Sequence, residues 1–300
     1  MTASIRPRRS ALYMPGSNAR ALEKARTLEA DVLIMDLEDA VSPDKKAEAR
    51  TTIAAALKAG GYRDREIVIR VNAGDGPWGA EDLAFVAQSG ADAVLLPKVE
   101  HADQVWFAEE ALAMAGAPAS LSIWCMMETP LGMLHAEEIA GASPSLGCLV
   151  LGTSDLAKDL HALHTRDRLP FVTSLGLCIL AARAYGLAVL DGVHLDLDDT
   201  KGFEEVCRQG LQLGFDGKTL IHPKTLEPAN RIFAPSGEEI AWSRKIIDAH
   251  QQADAAGSGV TLVDGKLVES LHVENARRIL ALAEMIEYRE SSNESDGSNA

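Results

Sequence analysis

Eight short apolar runs alternate with helical stretches along this chain, and this alternation constrains the fold more than any other feature. The runs are continuous rather than alternating in polarity, which is typical of parallel strands buried on both faces. Eight strand–helix units in succession predict a (β/α)8 TIM barrel, a fold of the α/β class. The runs occupy residues 10–15, 31–37, 67–71, 93–97, 121–127, 146–151, 188–193 and 219–221.

A doubly wound nucleotide-binding sheet is the main alternative for such an alternation. That fold needs a glycine-rich first turn of the Gly-x-Gly-x-x-Gly type. The segment after the first run reads Met14-Pro-Gly-Ser-Asn18 and lacks this pattern. Only 5% of the residues are aromatic, which suits helices packed on an aliphatic sheet. The barrel is therefore preferred.

The pattern changes after residue 235. Pro235-Ser-Gly-Glu-Glu239 predicts a helix start, and Asp264-Gly265 between two short apolar runs predicts a hairpin. Ser270 is expected to cap a last helix that ends near residue 288, before a tail rich in Ser, Asn, Gly and acidic residues. We predict a catalytic barrel over residues 1–235, a C-terminal helical and hairpin lid or oligomerisation segment over 236–290, and a disordered tail over 291–300.

Composition narrows the functional classes. The formal net charge of −15 argues against nucleic-acid binding, which relies on Lys and Arg to neutralise phosphates. No apolar stretch reaches 18 residues, so no membrane span is expected. Four cysteines without a Cys-x-x-Cys pair are typical of free thiols in a reducing compartment. We expect a cytoplasmic protein, and an anionic small ligand is compatible because it responds to local charge.

Two acids follow apolar runs: Glu128 comes directly after the fifth, and Asp155 comes shortly after the sixth. In a barrel, residues at the carboxyl ends of the strands face the active site. Mg²⁺ is commonly held by one or two carboxylates together with water and substrate oxygens. We therefore predict a Mg²⁺ site formed by Glu128 and Asp155. Helix capping or a surface ion pair is the alternative role of both acids.

Arg70 lies within an otherwise apolar strand, and a buried arginine needs an anionic partner. Its guanidinium could clamp a carboxylate or stabilise negative charge, because it is always cationic and binds oxygen pairs. A structural salt bridge across the barrel mouth is the alternative. Glu38 and Asp39 are interpreted as metal ligands or, preferably, as outer groups that orient water and Arg70. Lys98 has a similar supporting role.

Gly152-Thr-Ser-Asp155 places small residues at a strand-to-helix turn, where backbone N–H groups can face a ligand carboxylate. Gly152, Thr153 and Ser154 are therefore candidate substrate-binding residues, although a plain tight turn explains them equally well. Six basic residues around the first strand and helix predict a positive area for a phosphate-bearing substrate, with solvated surface charge as the alternative. They are Arg6, Arg8, Arg9, Arg20, Lys24 and Arg26.

Seven motifs follow one another along residues 8–288, namely Arg9-Ser-Ala-Leu-Tyr-Met-Pro-Gly-Ser17, Asp36-Leu-Glu-Asp-Ala-Val41, Ile69-Arg-Val-Asn72, Leu96-Pro-Lys-Val-Glu100, Met127-Glu-Thr-Pro-Leu-Gly132, Gly152-Thr-Ser-Asp155 and Ile221-His-Pro223. Together they resemble the citrate lyase β-subunit-like family. That family belongs to the aldolase and citrate lyase superfamily, with the malyl-CoA lyases. The resemblance is specific for the family and not for a substrate.

The resemblance implies a Mg²⁺-dependent barrel that cleaves, or in reverse forms, a carbon–carbon bond in a 3-hydroxyacyl-CoA thioester of the malyl or citryl type. The products would be acetyl-CoA or a homologue and a 2-oxo acid. It implies that Glu128 and Asp155 hold the metal and that Arg70 stabilises the enolate oxygen of the acetyl thioester. Arg20 and Lys24 would then contact the CoA phosphates.

In this family an acidic residue, usually aspartate, lies on a C-terminal hairpin that closes over a neighbouring subunit. The resemblance therefore implies a homotrimer or higher homo-oligomer, with Glu269 as the acid/base group. Glutamate is one methylene longer than aspartate, and a base must come within about 3 Å of its proton. This departure leaves open which reaction the chain performs.

Three alternatives to carbon–carbon cleavage stand beside it. A thioesterase would release free CoA from the same malyl thioester. A Mg²⁺-dependent aldolase would act on free 2-oxo acids without CoA. A non-catalytic partner subunit is the third, but a decayed site is expected to lose at least one buried charge, and Arg70, Glu128 and Asp155 are all present.

Overall fold

The computed structural model describes residues 6–255 and 261–297 of the 300-residue chain. One compact unit, residues 8–233, holds a closed barrel of eight parallel strands in the order of the sequence. The (β/α)8 fold predicted from the apolar runs is confirmed. Strands β1 to β8 are Ser10–Pro15, Val32–Asp36, Glu66–Arg70, Ala93–Leu96, Ser122–Met127, Leu146–Leu151, Ala188–Asp191 and Gly217–Leu220.

Helices connect the strands and surround the barrel. The helix that begins at Pro130 shows how the sequence starts these helices: Thr129 Oγ1 accepts the N–H of Gly132 at 3.1 Å, and proline occupies the first helical position. No helix within the described residues is both long and apolar enough to cross a bilayer. Helices α1 to α10 are Ala19–Ala25, Lys46–Ala59, Gly79–Ser89, Ala102–Met114, Pro130–Leu134, Ala136–Ala140, Thr153–Asp159, Val172–Ala184, Thr200–Leu213 and Leu226–Phe233.

Inward-facing side chains of the strands form a buried cluster separate from the apolar layer between sheet and helices. Because side chains alternate along a strand, the position two residues beyond an inward-facing residue also faces inward. By this parity Asp36, Arg70 and Glu128 face the barrel interior at the carboxyl ends of β2, β3 and β5. Their inward-facing predecessors are Ile34, Val68 and Met126.

Strand β8 begins at Gly217, before the apolar run that predicted it, and so it includes Lys218. The strand register places Lys218 beside Asp191 of β7, and its Nζ lies 2.9 Å from Asp191 Oδ2. The ion pair allows a cation to occupy a buried strand, which an argument from hydropathy alone does not anticipate.

The second unit includes the chain from Ala234 onward. It consists of α11 (Gly237–Ala255), the antiparallel strands β9 (Thr261–Val263) and β10 (Lys266–Val268), and α12 (Ser270–Gly297). The predicted hairpin is therefore confirmed. Helix α12 continues to Gly297 and does not end near residue 288 as predicted, and residues 298–300 of the predicted tail lie outside the described residues. The polar tail has no apolar periodicity and gave no helix signal. A lid or oligomer role for this unit stays a prediction.

Candidate functional site

Five of the predicted site residues come together at the carboxyl ends of the barrel strands. Arg70 Nη1 lies 2.9 Å from Glu38 Oε2, and Lys98 Nζ lies 2.8 Å from Glu38 Oε1. Lys98 also donates its backbone N–H to Glu128 Oε1 at 2.9 Å, and its Nζ lies 3.9 Å from Asp155 Oδ2. The segments that follow β2 to β6 therefore build one cluster, which we call the mouth cluster.

Arg70 is fixed by a carboxylate that the sequence analysis did not single out. Asp36 accepts hydrogen bonds from Arg70 Nε and Nη2, each at 2.7 Å. The same carboxylate accepts the backbone N–H groups of Glu38 and Ala40 at 2.9 and 3.0 Å. Asp36 has no solvent exposure and lies opposite Arg70 in the register of β2 and β3. The inward parity of the last residue of β2 is the signal that could have found it.

The guanidinium of Arg70 therefore binds Asp36 through Nε and Nη2, and its third nitrogen, Nη1, faces the mouth cluster. The structural salt bridge weighed above is present, and it occupies Nε and Nη2. Nη1 lies 3.9 Å from Asp39 Oδ2 as well as close to Glu38. The guanidinium carbon stands 4.8 Å from the centre of the Tyr13 ring, a cation–π arrangement. Burial alone lowers the pKa of Arg70, but hydrogen bonds to Asp36 and nearby acids raise it above the usual value.

Glu128 is the most deeply buried acid among the predicted ligands, with 2% of its surface exposed. Desolvation raises its pKa to about 7, against the opposing effect of the Lys98 N–H. A buried carboxyl that ionises near neutral pH is stabilised as an anion by a cation placed beside it. A metal ion bound beside Glu128 would therefore stabilise its ionised carboxylate.

Gly152 allows β5 and β6 to bring Glu128 close to the following turn. A Cβ atom at position 152 would overlap the Oε2 and Cβ atoms of Glu128. Thr153 is buried and Ser154 is exposed. The structure thus supplies a packing reason for the glycine, and the contact of Gly152, Thr153 and Ser154 with a substrate stays a prediction.

Lys98 has a strained backbone at this site. Its φ of 48° lies in the left-handed region, which costs a non-glycine residue about 1 kcal/mol. This conformation accompanies the hydrogen bond from its N–H to Glu128. Burial lowers the pKa of Lys98, but the hydrogen bond to Glu38 and the charges of nearby acids together outweigh burial and raise the pKa above its usual value. Strain held at a strand end is typical of functional sites.

The donor set fits a hard cation with few protein ligands. Glu128 is buried, and the side chain of Asp155 is 27% exposed. Within residues 6–255 and 261–297, no group of three or more His, Cys, Asp or Glu side chains is placed to hold a metal. Two carboxylates completed by water and substrate oxygens suit Mg²⁺, and this part of the chain offers no closed zinc site of four ligands.

The prediction of a single positive surface around the first strand is wrong. Arg8 Nε lies 2.6 Å from Glu66 Oε2, and Arg9 Nε lies 2.9 Å from Asp31 Oδ2. Both arginines precede β1 and therefore lie at the amino-terminal end of the barrel, opposite the mouth cluster. Their acidic partners are 58 and 22 residues away along the chain, so composition alone could not reveal the pairing.

Three further predicted residues have other surroundings. Arg20 and Lys24 are exposed on α1. Glu269 belongs to the second unit, where it is exposed and precedes α12. Its backbone N–H donates to His272 Nδ1 at 3.1 Å. The roles of Arg20, Lys24 and Glu269 stay predictions.

Known proteins are similar to this chain in both sequence and fold. Residues 9–223 match the HpcH/HpaI aldolase/citrate lyase family. The chain is 48% identical over 286 residues to a (3S)-malyl-CoA thioesterase of Cereibacter sphaeroides, covering 95% of this chain and 98% of that protein. It is 35% identical over 290 residues to the citrate lyase subunit beta of Escherichia coli, covering 95% and 96%.

Among solved structures, the fold is similar to the protein CitE of Mycobacterium tuberculosis in complex with magnesium, acetoacetate and coenzyme A. The TM-score is 0.73 at 30% sequence identity, covering 95% of this chain and all of that one. The citrate lyase beta subunit of the same organism, complexed with oxaloacetate and magnesium, gives a TM-score of 0.64 at 29% identity, covering 78% of this chain and all of that one. Similar barrels thus bind magnesium together with small oxo acids.

Proposed function

Because this chain belongs to the HpcH/HpaI aldolase/citrate lyase family, we propose that its mouth cluster acts on the CoA thioester of a malyl-type 3-hydroxy acid, with Mg²⁺ as cofactor. The proposed reaction is hydrolysis to the free hydroxy acid and CoA. The similarity to the (3S)-malyl-CoA thioesterase over nearly the whole chain carries this choice. Carbon–carbon cleavage, which the motifs predicted, is the second candidate.

The mouth cluster suits either reaction. Glu128 and Asp155 would hold Mg²⁺, which supplies Lewis-acid polarisation of the substrate oxygens it binds. Arg70, held by Asp36, offers Nη1 to the thioester oxygen. That oxygen gains negative charge when water attacks the thioester, and it gains the same charge when cleavage forms an enolate. Arg70 therefore stabilises the charge that develops in both reactions.

The two reactions differ in the bond that breaks. In hydrolysis, the oxygen of water bonds to the thioester carbon, the carbon–sulfur bond breaks, and the thiolate takes up the proton that water loses. In cleavage, the bond between the α- and β-carbons breaks, the hydroxyl loses its proton, and the enolate of acetyl-CoA is protonated. Each reaction needs a group that moves a proton. We assign that role to Glu269 from the family resemblance.

The second candidate is favoured by the complete mouth cluster and by the similarity to citrate lyase subunit beta. A Mg²⁺-dependent aldolase acting on free 2-oxo acids uses the same metal pair and needs no CoA. For a CoA substrate, Arg20 and Lys24 would contact the phosphates as exposed cations on α1. We also propose a homo-oligomer, with a trimer favoured.

The deciding experiment incubates the purified full chain with (3S)-malyl-CoA and Mg²⁺ and measures two products in parallel. A thiol reagent detects free CoA, and a hydrazine detects the 2-oxo acid glyoxylate. Hydrolysis gives free CoA matched by malate, whereas cleavage gives glyoxylate matched by acetyl-CoA. A free 4-hydroxy-2-oxo acid in place of malyl-CoA, with the release of pyruvate measured, tests the aldolase alternative that needs no CoA. If malyl-CoA stays intact in the presence of Mg²⁺, the proposed function is contradicted.

The control variants separate the metal pair from acidic charge in general. Glu128→Gln and Asp155→Asn should abolish turnover and Mg²⁺ binding, because each removes one carboxylate ligand. Asp159→Asn is the matched control, since it changes the last residue of the same helix α7, where Asp159 pairs with Lys158 at 3.6 Å. It should leave turnover unchanged. Full Mg²⁺ binding and activity in Glu128→Gln and Asp155→Asn would refute the assignment of the site.

A further inference from the structure

A second buried ionic cluster lies between the barrel sheet and α9. Asp191 of β7 accepts hydrogen bonds from Arg168 Nη1 at 2.7 and 2.8 Å and from Lys218 Nζ at 2.9 Å. Asp191 and Lys218 have no solvent exposure, and Arg168 has 8%. The preceding residue, Leu190, faces the barrel interior, so Asp191 faces outward and lies against α9. No reaction step described above uses these three residues.

Stability alone does not account for this cluster. Burial lowers the pKa of Lys218; burial alone raises that of Asp191, but Lys218 and Arg168 together lower it. Two cations share one carboxylate, which leaves an excess positive charge inside the protein. Apolar residues of similar volume often replace buried ion pairs without loss of stability. A geometric role therefore explains the cluster better.

The cluster holds both peptide groups of Gly192. The N–H of Gly192 donates to Asp191 Oδ1 at 2.8 Å, and its carbonyl oxygen accepts a hydrogen bond from Lys218 Nζ. Gly192 also packs against the first residue of α7, because a Cβ atom at position 192 would lie 2.7 Å from Thr153 Oγ1. Thr153 is itself buried, and Asp155 follows it by two residues. Gly192 thus connects the ionic cluster to the turn that carries Asp155.

We propose that Lys218 and Asp191 are positioning residues that hold Gly192 against Thr153 and thereby set the position of Asp155. The inference rests on the proposed function in one respect, the assignment of Asp155 as a Mg²⁺ ligand. Residues that orient metal ligands typically change metal affinity 10–100-fold when they are removed. Lys218 therefore acts on the metal site from the helix side of the sheet, without touching the substrate.

Lys218→Met tests this role, because methionine fills much of the space of lysine and leaves Asp191 paired with Arg168. Arg168→Met is the matched control: it also removes one cation from Asp191 but keeps the hydrogen bond from Lys218 to Gly192. Titration calorimetry with Mg²⁺ alone measures affinity, and thermal unfolding measures stability. We expect Mg²⁺ affinity to fall about tenfold or more in Lys218→Met and less than about threefold in Arg168→Met, with both variants losing stability.

Kinetics supply a further test that a purely structural role would not pass. In Lys218→Met, excess Mg²⁺ should restore most of kcat, because a weakened metal site still fills at high concentration. Equal Mg²⁺ affinities in Lys218→Met and Arg168→Met would overturn the proposal.

If Lys218→Met does not fold, Gly192→Ala answers the same question. It keeps all three charges, and its added methyl group displaces Thr153, so Mg²⁺ affinity should again fall. Wild-type affinity in Gly192→Ala would overturn the inference while leaving the proposed function intact. A wild-type protein that binds no Mg²⁺ would contradict both.

Discussion

The two ends of the barrel both pair an arginine with a buried carboxylate, yet they are built differently. At the amino-terminal end, Arg8 donates to both oxygens of Glu66 at 2.6 and 2.7 Å, and its guanidinium stands 5.0 Å from the centre of the Trp124 ring. At the carboxyl-terminal end, Arg70 and Asp36 form the same two-point pairing at 2.7 Å. There, however, other acids and a lysine that is 40% exposed extend the contacts toward solvent.

The difference lies in what each pairing leaves available to a ligand. Arg8 binds both carboxylate oxygens of Glu66 through Nε and Nη2, as Arg70 binds those of Asp36, so the difference lies in the third nitrogen, Nη1, and its surroundings. At the mouth, Arg70 Nη1 meets Glu38 Oε2 as an ion contact, and this buried oxygen accepts no hydrogen bond from any described residue. Glu128 adds a carboxyl with a pKa raised to about 7 by burial. Incomplete pairing, rather than charge as such, therefore distinguishes the candidate site from a structural ion pair.

Replacing one buried acid at each end of the barrel should give the largest difference between loss of activity and loss of stability. Glu128→Gln should lower kcat by about 10³-fold or more, because it removes a carboxylate that we propose holds Mg²⁺, while stability changes by less than about 1 kcal/mol. Glu66→Gln should lose about 3 kcal/mol of stability, because Arg8 is left unpaired, with kcat of the folded protein unchanged. Urea unfolding and steady-state kinetics measure both effects. Similar loss of activity in both variants would remove the distinction.

Removing the carboxylate that orients each arginine should give a smaller contrast. Asp36→Asn should lower kcat about 10²-fold, because Arg70 loses the pairing that aims Nη1. Asp31→Asn, which weakens the partner of Arg9 at the other end, should reduce stability without changing kcat. Kinetics at saturating substrate, beside thermal unfolding, compare the two. Unchanged kcat in Asp36→Asn would show that Arg70 needs no orientation.

Gly147 of β6 and Gly152, which directly follows β6, test the two ends through packing alone. Gly152→Ala would overlap Glu128 and should weaken Mg²⁺ binding about 10–100-fold. Gly147→Ala meets the Ser122 side chain near the amino-terminal end of β6 and should leave Mg²⁺ affinity unchanged. Titration calorimetry measures both affinities. Equal effects would mean that the close approach at Gly152 does not matter.

A change of pH should have a smaller effect than any of these substitutions. The folded pKa of Glu128 is near 7, above its ordinary 4.5, so the folded protein binds more protons than the unfolded chain between these values. This group therefore makes the free energy of unfolding fall as pH rises through that window. Mg²⁺ competes with the same proton, so its affinity should rise with pH by at most about tenfold per unit below pH 7. Glu128→Gln should flatten both trends, and higher Mg²⁺ affinity in acid would contradict this account.

The fold was largely predictable because it rests on local patterns. Continuous apolar runs marked the strands of the barrel, and Asp264-Gly265 marked the C-terminal hairpin. Lys218 was not predicted to lie within β8, because its burial there depends on the ion pair with Asp191, which lies 27 residues away along the chain. The extension of α12 escaped because its last residues carry no apolar pattern.

The members of the mouth cluster were predictable from the sequence, whereas the contacts between them were not. Glu128, Asp155 and Arg70 stood out because charges after apolar runs are conspicuous in a sequence. Asp36 was not predicted as the partner of Arg70, because that pairing depends on the strand register and on the inward parity that place Asp36 opposite Arg70. The left-handed backbone of Lys98 leaves no signal in composition. Such properties arise from tertiary geometry rather than from residue type.

A product balance for (3S)-malyl-CoA with Mg²⁺, measured on the wild type and on Glu128→Gln, decides whether the mouth cluster is the catalytic site. We expect the wild type to release free CoA and malate in equal amounts and Glu128→Gln to release neither. Equal release by both proteins, or intact malyl-CoA with the wild type, would contradict the claim that the mouth cluster is the catalytic site.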